Sequence, residues 1–156
     1  MKQESETLGL PILTLTFRIV LGVIFIYASL DKIQFPADFA IAVQNYQILP
    51  DVLTNLVAII LPWLELLCGL CLLSGLFLRE SSSILAALLL IFIIALIAAL
   101  VRGLDINCGC YGLDTQIGWG RILEDIGLLF MALYVSFFPR SPFALERITS
   151  LNLPVN

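Results

Sequence analysis

The stretch ILAALLLIFIIALIAALV, residues 84–101, decides the fold. It carries no charge and is apolar on every side, which suits a helix enclosed by lipid or by neighbouring helices and not one with a solvated face. Ser81, Ser82 and Ser83 precede it as N-cap candidates, and Arg102 with Gly103 supplies a stop. Three more apolar stretches lie on either side: Leu8 to Leu30, Val52 to Leu78, and Trp119 to Phe138. A span needs about 20 apolar residues to cross the hydrocarbon core, so a chain of this length has room for roughly four. Pro139, which cannot continue a helix hydrogen-bond ladder, closes the last of them.

Composition agrees. The 156 residues are 60% hydrophobic and 13% charged, against about 45–50% and about 25% in ordinary soluble domains, and the mean hydropathy is +1.04. The expected architecture is all-α: an integral membrane four-helix bundle forming one domain over residues 1–156, with a short polar tail at 139–156. The first stretch does not read as a secretory signal peptide. It exceeds the usual apolar region of about 7–15 residues, lacks a small-residue cleavage site, and holds Arg18 in its middle. A net charge of −4 leaves no basic stripe, so nucleic acid is excluded as a partner. The lipid bilayer is the expected environment.

Lys2, Arg79, Arg140 and Arg147 fall on one side of the expected bundle, and Lys32, Arg102 and Arg121 on the other. By the positive-inside rule this places both termini inside. The segments Asp31–Asp51 and 102–118 then face outward, read as loops of a multi-pass protein of the cell inner membrane.

Lipid does not tolerate certain residues by accident. Arg18 lies near the middle of the first stretch and Glu65 near the middle of the second, where an isolated charge costs about 2.5–3.5 kcal/mol on insertion scales. Antiparallel neighbours would bring the two midpoints to one depth, so an Arg18–Glu65 ion pair is expected, either as a structural lock or as the wall of a polar cavity. Pro62, one turn before Glu65, removes the hydrogen bond to the Ala58 carbonyl and marks a kink. Arg121, Glu124 and Asp125 form a charged first turn beside Trp119, read as an interfacial anchor, and Asp31 with Lys32 closes the first helix in the same manner, although a charged pair at the mouth of a bundle could also help form a site.

Four cysteines complete the set of chemically informative residues. Cys108 and Cys110 stand in Asn107-Cys108-Gly109-Cys110-Tyr111-Gly112, a polar segment between two spans. Alpha carbons two residues apart can reach the roughly 4.4–6.8 Å disulfide window if the chain turns, which Gly109 permits. So small a ring is strained, and strained exposed disulfides tend to be the labile ones. A redox-active pair is the favoured reading. A soft-metal site and a plain structural turn stay open, although the chain has no His and only 2 Met, and two thiolates alone make an incomplete zinc site. Cys68 and Cys71 form a CxxC pattern, but Cys68 lies about 16 residues, roughly 24 Å, down its helix from Val52. Helix packing is the expected role of that pair.

Arg18, the run Pro62-Trp63-Leu64-Glu65-Leu66, and Cys108-Gly109-Cys110-Tyr111-Gly112 before the last span together resemble the MauE branch of the DoxX-like membrane proteins. That branch typically carries Cys-Gly-Cys-Phe-Gly, and Tyr111 stands here where the phenylalanine would be. The resemblance covers nearly the whole chain. It implies a role in methylamine utilisation, where such proteins are thought to help mature a disulfide-rich extracytoplasmic enzyme subunit, and among the DoxX-like relatives a link to quinones. Carried onto this sequence, the matched positions are Arg18, Glu65, Cys108 and Cys110, while Cys68 and Cys71 lie outside the family pattern.

Two functions compete. In the first, Cys108 and Cys110 act catalytically, exchanging with an extracytoplasmic thioredoxin-like partner and passing electrons to a quinone held near Glu65 or Tyr111, with Arg18 a further candidate binding residue. In the second, the chain is a non-catalytic accessory or assembly subunit of a redox complex. No metal is assigned in either.

Overall fold

The computed structural model describes residues 2–103 and 119–138, with side chains placed from residue 12 onward, residue 51 apart. All the elements among them are helices: α1 (Lys2–Gln34), α2 (Pro36–Asn45), α3 (Asp51–Ser74), α4 (Leu78–Val101) and α5 (Trp119–Phe137). Four of these overlie the four apolar stretches. The Cys108–Tyr111 segment and the 139–156 tail lie outside the described residues.

Two boundaries differ from expectation, each for a local reason. Gly75 takes a left-handed conformation (φ 77°) and its N–H donates to the Cys71 carbonyl at 2.9 Å, ending α3 at Ser74. Phe77 is also left-handed (φ 49°), so α4 starts at Leu78, about a turn before the serines expected to cap it. Those serines sit inside the helix instead. Ser82 Oγ donates back to the Leu78 carbonyl (2.6 Å) and Ser83 Oγ to that of Arg79 (2.7 Å), which satisfies both hydroxyls without water.

A further difference is α2, which occupies much of the segment read as a loop. Pro36 stands in its first turn, where a missing N–H costs nothing, and Asp38 complements the helix dipole. Phe39, Ala42 and Tyr46 then fall on one buried face. The helix ends just before Gln47 turns left-handed (φ 51°).

Among the described residues, three helices are long and apolar enough to cross a membrane: Ile12–Gln34, Val52–Ser74 and Leu78–Val101. Only 33–39% of their most apolar stretches is buried within the protein. In α4 the buried positions form a single stripe, Leu85, Leu89, Ile93, Leu96 and Ala99, while Leu90, Ile91, Ile94 and Ile97 are exposed. A helix that is greasy on its outer face as well as its inner one needs lipid as its solvent. Helix α5 is different: Arg121, Glu124 and Asp125 in its first two turns keep it out of that class, so three such spans are seen among the described residues where four were expected.

The helices pack as antiparallel neighbours, α1 against α3, α3 against α4, and α5 against both α4 and α1. The α1–α3 contact is close enough to involve backbone: a Cβ on Gly22 would lie 3.1 Å from the Gly69 carbonyl oxygen, and one on Gly69 would lie 3.2 Å from that of Gly22. Small residues at such a crossing give lipid-embedded helices the dispersion contact that replaces a hydrophobic driving force. The main core gathers Leu21, Phe25, Cys68, Leu72, Leu85 and Val135. A second cluster joins Tyr46 to Ile93, Leu96 and Ile122. This connectivity puts the C-terminal ends of α1 and α4, the N-terminal ends of α3 and α5, and α2 at one end of the molecule.

Candidate functional site

The Gly22–Gly69 crossing sets the depth of every polar residue on α1 and α3. With those two glycines level, Arg18 falls beside Leu73 and Glu65 falls beside Ile26, some eight residues, or about 12 Å at 1.5 Å per residue, away from Arg18. The expected Arg18–Glu65 pair therefore does not form. Arg18 Nη2 donates to the Leu73 carbonyl (3.1 Å), near the C-terminal end of α3, where a cation is favoured by the helix dipole. Glu65 pairs with Lys32: the ammonium nitrogen lies 2.9 Å from Oε1 and 2.7 Å from Oε2. The midpoints of the two apolar stretches mislead because register is fixed where the glycines meet, and that contact is not at the centre of either stretch.

Lys32 reaches Glu65 because it sits at the end of α1 and turns its four-carbon stem inward along apolar surface. Both side chains are almost out of solvent, at 10% and 8% exposure. The Lys32 ammonium also stands 5.1 Å from the centroid of the Phe39 ring on α2, an attraction of about 0.5–2 kcal/mol at this separation. The pair is thus held from three elements, α1, α2 and α3, and Pro62, one turn from Glu65, is fully buried.

Beside this pair is a cavity of about 440 Å³, inside the range of about 300–1,000 Å³ typical of small-molecule sites. Its walls are apolar and rich in rings, with Phe25 from α1, Phe39 from α2, Tyr46, and Phe92 from α4. Four charged residues break that surface: Lys32, Glu65, Arg121 and Asp125. Asp125 is 3% exposed and Glu65 6%, so both carboxylates belong to the interior. Arg121 holds Glu124 at 2.6 Å on the outer side. Arg102, at the end of α4, donates to the Tyr46 carbonyl (3.2 Å) and ties the segment after α2 onto the bundle end.

Sequence reasoning found Glu65 and placed it in a cavity wall as one of its two alternatives. Residue type makes interfacial anchors the default reading of Lys32, Arg121 and Asp125, with Asp31 and Lys32 also able to help form a site at the mouth of the bundle; the structure draws Lys32, Arg121 and Asp125 to the cavity. The available signal was the period of α5: Ile122, Asp125, Ala132 and Val135 share its buried face, so Asp125 keeps step with core residues. Arg18 lies apart from the cavity and serves the α1–α3 contact. Cys68 is buried in the core with Leu21, Phe25 and Leu72, and Cys71 is half-buried, as packing residues would be. Cys108, Cys110 and Tyr111 lie outside the described residues. Val101 and Trp119, which bracket the segment that contains them, are both at the cavity end.

Residues 10–138 match the family described as methylamine utilisation protein MauE. The chain belongs to the MauE family. Its similarity to curated members runs over most of both partners. The methylamine utilization protein MauE of Paracoccus denitrificans is 32% identical over 129 residues, 81% of this chain and 69% of the relative. That of Methylophilus methylotrophus is 31% identical over 133 residues, 83% and 70% respectively, and that of Paracoccus versutus 30% over 132 residues, 83% and 71%. No solved structure matches. The MauE match reaches into all five helices of the fold, and with three helices able to cross a membrane this MauE-family chain is a multi-pass membrane protein.

Proposed function

We propose that this chain is a membrane thiol–disulfide redox protein of methylamine utilisation, with Cys108 and Cys110 as the reacting pair and the cavity end of the molecule as its working face. The observation that carries the reading is the position of a ring-lined cavity holding two carboxylates and two cations at the end where α4 stops and α5 starts. Family membership supports the methylamine role, and the Cys-Gly-Cys spacing supports the exchange chemistry. In this reading α1, α3, α4 and α5 form a four-span bundle in the inner membrane, α5 crossing because its charged turn faces the cavity and its neighbours rather than lipid. The Cys108–Cys110 segment faces the extracytoplasmic side.

The chemistry balances in two steps. A thiolate of a reduced, thioredoxin-like extracytoplasmic partner attacks the Cys108–Cys110 disulfide. The mixed disulfide that results is resolved by the partner's second thiol, leaving the partner oxidised and both loop cysteines as thiols. Re-forming the loop disulfide then releases two electrons and two protons to a lipid-soluble acceptor, for which a quinone is the chemical class that takes both. Glu65 and Asp125, beside Lys32 and Arg121 in the cavity wall, are the polar groups that such an acceptor would meet in an otherwise apolar region.

Thiol labelling of intact cells with a membrane-impermeant maleimide tests this directly. Cys108 and Cys110 should label only after reduction, and Cys108→Ser should leave the partner's thiols reduced. Labelling without reduction, or a partner whose redox state ignores Cys108→Ser, leaves an accessory subunit as the remaining reading.

A further inference from the structure

We infer that the cavity beneath α2 is a binding site for a quinone that enters sideways from the bilayer, its ring held by the Lys32–Glu65 and Arg121/Asp125 groups. The identity of the ligand rests on the redox reading above; the existence of the site rests on geometry alone. Three observations converge.

The rim of the cavity includes Ile48, Leu49 and Ile91, which are respectively 51%, 37% and 64% exposed. Ile91 is on the outer face of α4, and Val57 of α3 also lines the cavity. An opening edged by exposed isoleucine and leucine beside membrane-competent helices admits a molecule already dissolved in lipid and repels a hydrated one.

Inside, the surface changes character. Phe25, Phe39 and Phe92 offer ring faces and edges suited to a planar conjugated head. With them stand two hydrogen-bond donors, the Lys32 ammonium and the Arg121 guanidinium, and two acceptors, the Glu65 and Asp125 carboxylates. A free fatty acid would call for uncompensated positive charge, and a hydrocarbon for no polar group at all. A neutral ring with carbonyl oxygens, which become hydroxyls on taking up two electrons and two protons, uses donors in one state and acceptors in the other. Balanced charges of both signs match that change without altering the net charge of the pocket.

Lys32 is the residue that ties recognition to α2. It bonds Glu65 through both carboxylate oxygens and lies over Phe39 of α2, so a ring carbonyl accepting from the ammonium would also meet the helix that covers the site.

The test uses the full chain in lipid nanodiscs and a ubiquinone with a decyl tail, followed by quenching of intrinsic fluorescence and by thermal shift. Wild type should bind saturably, and n-decanol should not compete. Glu65→Gln should weaken binding at least tenfold. Ile91→Trp, at an exposed position that folding does not use, should block the mouth and abolish binding, whereas Ile94→Trp, exposed on the same helix and away from the cavity, should leave it unchanged. Cys108→Ser with Cys110→Ser should bind as wild type, which separates this site from the thiol chemistry. Unsaturable uptake, equal competition by n-decanol, or indifference to Ile91→Trp overturns the proposal whether or not the loop cysteines exchange.

Discussion

The two ends of this molecule differ in where their buried charges find partners. At the α3–α4 turn end, Arg18 donates to the backbone carbonyl of Leu73, beside hydroxyls that bond backbone, as Ser82 and Thr14 do, or each other, as Ser83 and Ser136 do. At the α2 end, Arg102 likewise meets a backbone carbonyl, that of Tyr46, but Lys32 and Glu65 pair with each other beside an open volume and Arg121 pairs with Glu124 at its outer side. The difference teaches which charges are structural. A cation bonded to the last carbonyls of a helix satisfies groups that the helix itself leaves over and has no proton to exchange with them. A carboxylate bonded to an ammonium beside a cavity keeps an acid and a base within reach of whatever enters. Glycines at backbone contact draw α1 and α3 together, and aromatic rings line the open volume at the α2 end.

The largest effect that can break this contrast is at Glu65. Glu65→Ala leaves the Lys32 ammonium buried without its partner, and removing one member of a buried pair costs about 3–5 kcal/mol. Thermal unfolding in detergent should show it. The double change Lys32→Met with Glu65→Met should recover most of that stability, because two apolar side chains of similar volume replace the pair, and should still abolish partner oxidation. Recovery of activity together with stability would make the cavity end as structural as the other.

Next in size is the glycine crossing. Gly69→Val puts side-chain atoms against Ile26, which even a Cβ at this position would meet at 2.9 Å, and against the Gly22 carbonyl; overpacking of this kind costs about 1–3 kcal/mol. Folded yield and unfolding temperature should fall, and the protein that does fold should keep the proposed thiol exchange in proportion. A smaller loss is expected for Arg18→Met, which forfeits one charge-assisted bond of about 1.5–3 kcal/mol to the Leu73 carbonyl, partly offset because a methionine fits an apolar site without desolvation cost. Its unfolding temperature should drop modestly while quinone binding and thiol exchange stay at wild-type levels, sharpening the assignment of Arg18 to packing.

The smallest effect is at Glu124→Gln. Glu124 is exposed and pairs with Arg121 at the i, i+3 spacing, an arrangement that contributes about 0.2–0.5 kcal/mol. Stability should hardly move. Any large change in ligand binding on this substitution would mean that Arg121 is presented to the cavity by Glu124, and would extend the working region onto the outer face of α5.

Much of this architecture is written in local pattern. Apolar runs longer than a soluble core can use appear as α1, α3 and α4, because lipid is the only solvent that accepts a helix greasy on all sides, and the stop at Arg102 and Gly103 is read from residue type alone. The packing role of Cys68 follows from its depth in a span. The start of α4 is less legible, since a left-handed Phe77 is set by the turn it makes with Gly75 and no residue type announces it. Helix α2 was legible in the spacing of Phe39, Ala42 and Tyr46 behind Pro36, but its length alone resembles a loop.

Pairing is another matter. Residue identities along α1 and α3 establish that Arg18 and Glu65 need partners, because ions do not stay unpaired in hydrocarbon. Which partner each takes depends on the sliding register of two helices, and that is set where Gly22 meets Gly69, a contact between residues far apart in the chain. A shift of a few residues in that register separates a buried lock from an open site. Charge demands a partner by chemistry, and only packing in three dimensions chooses it.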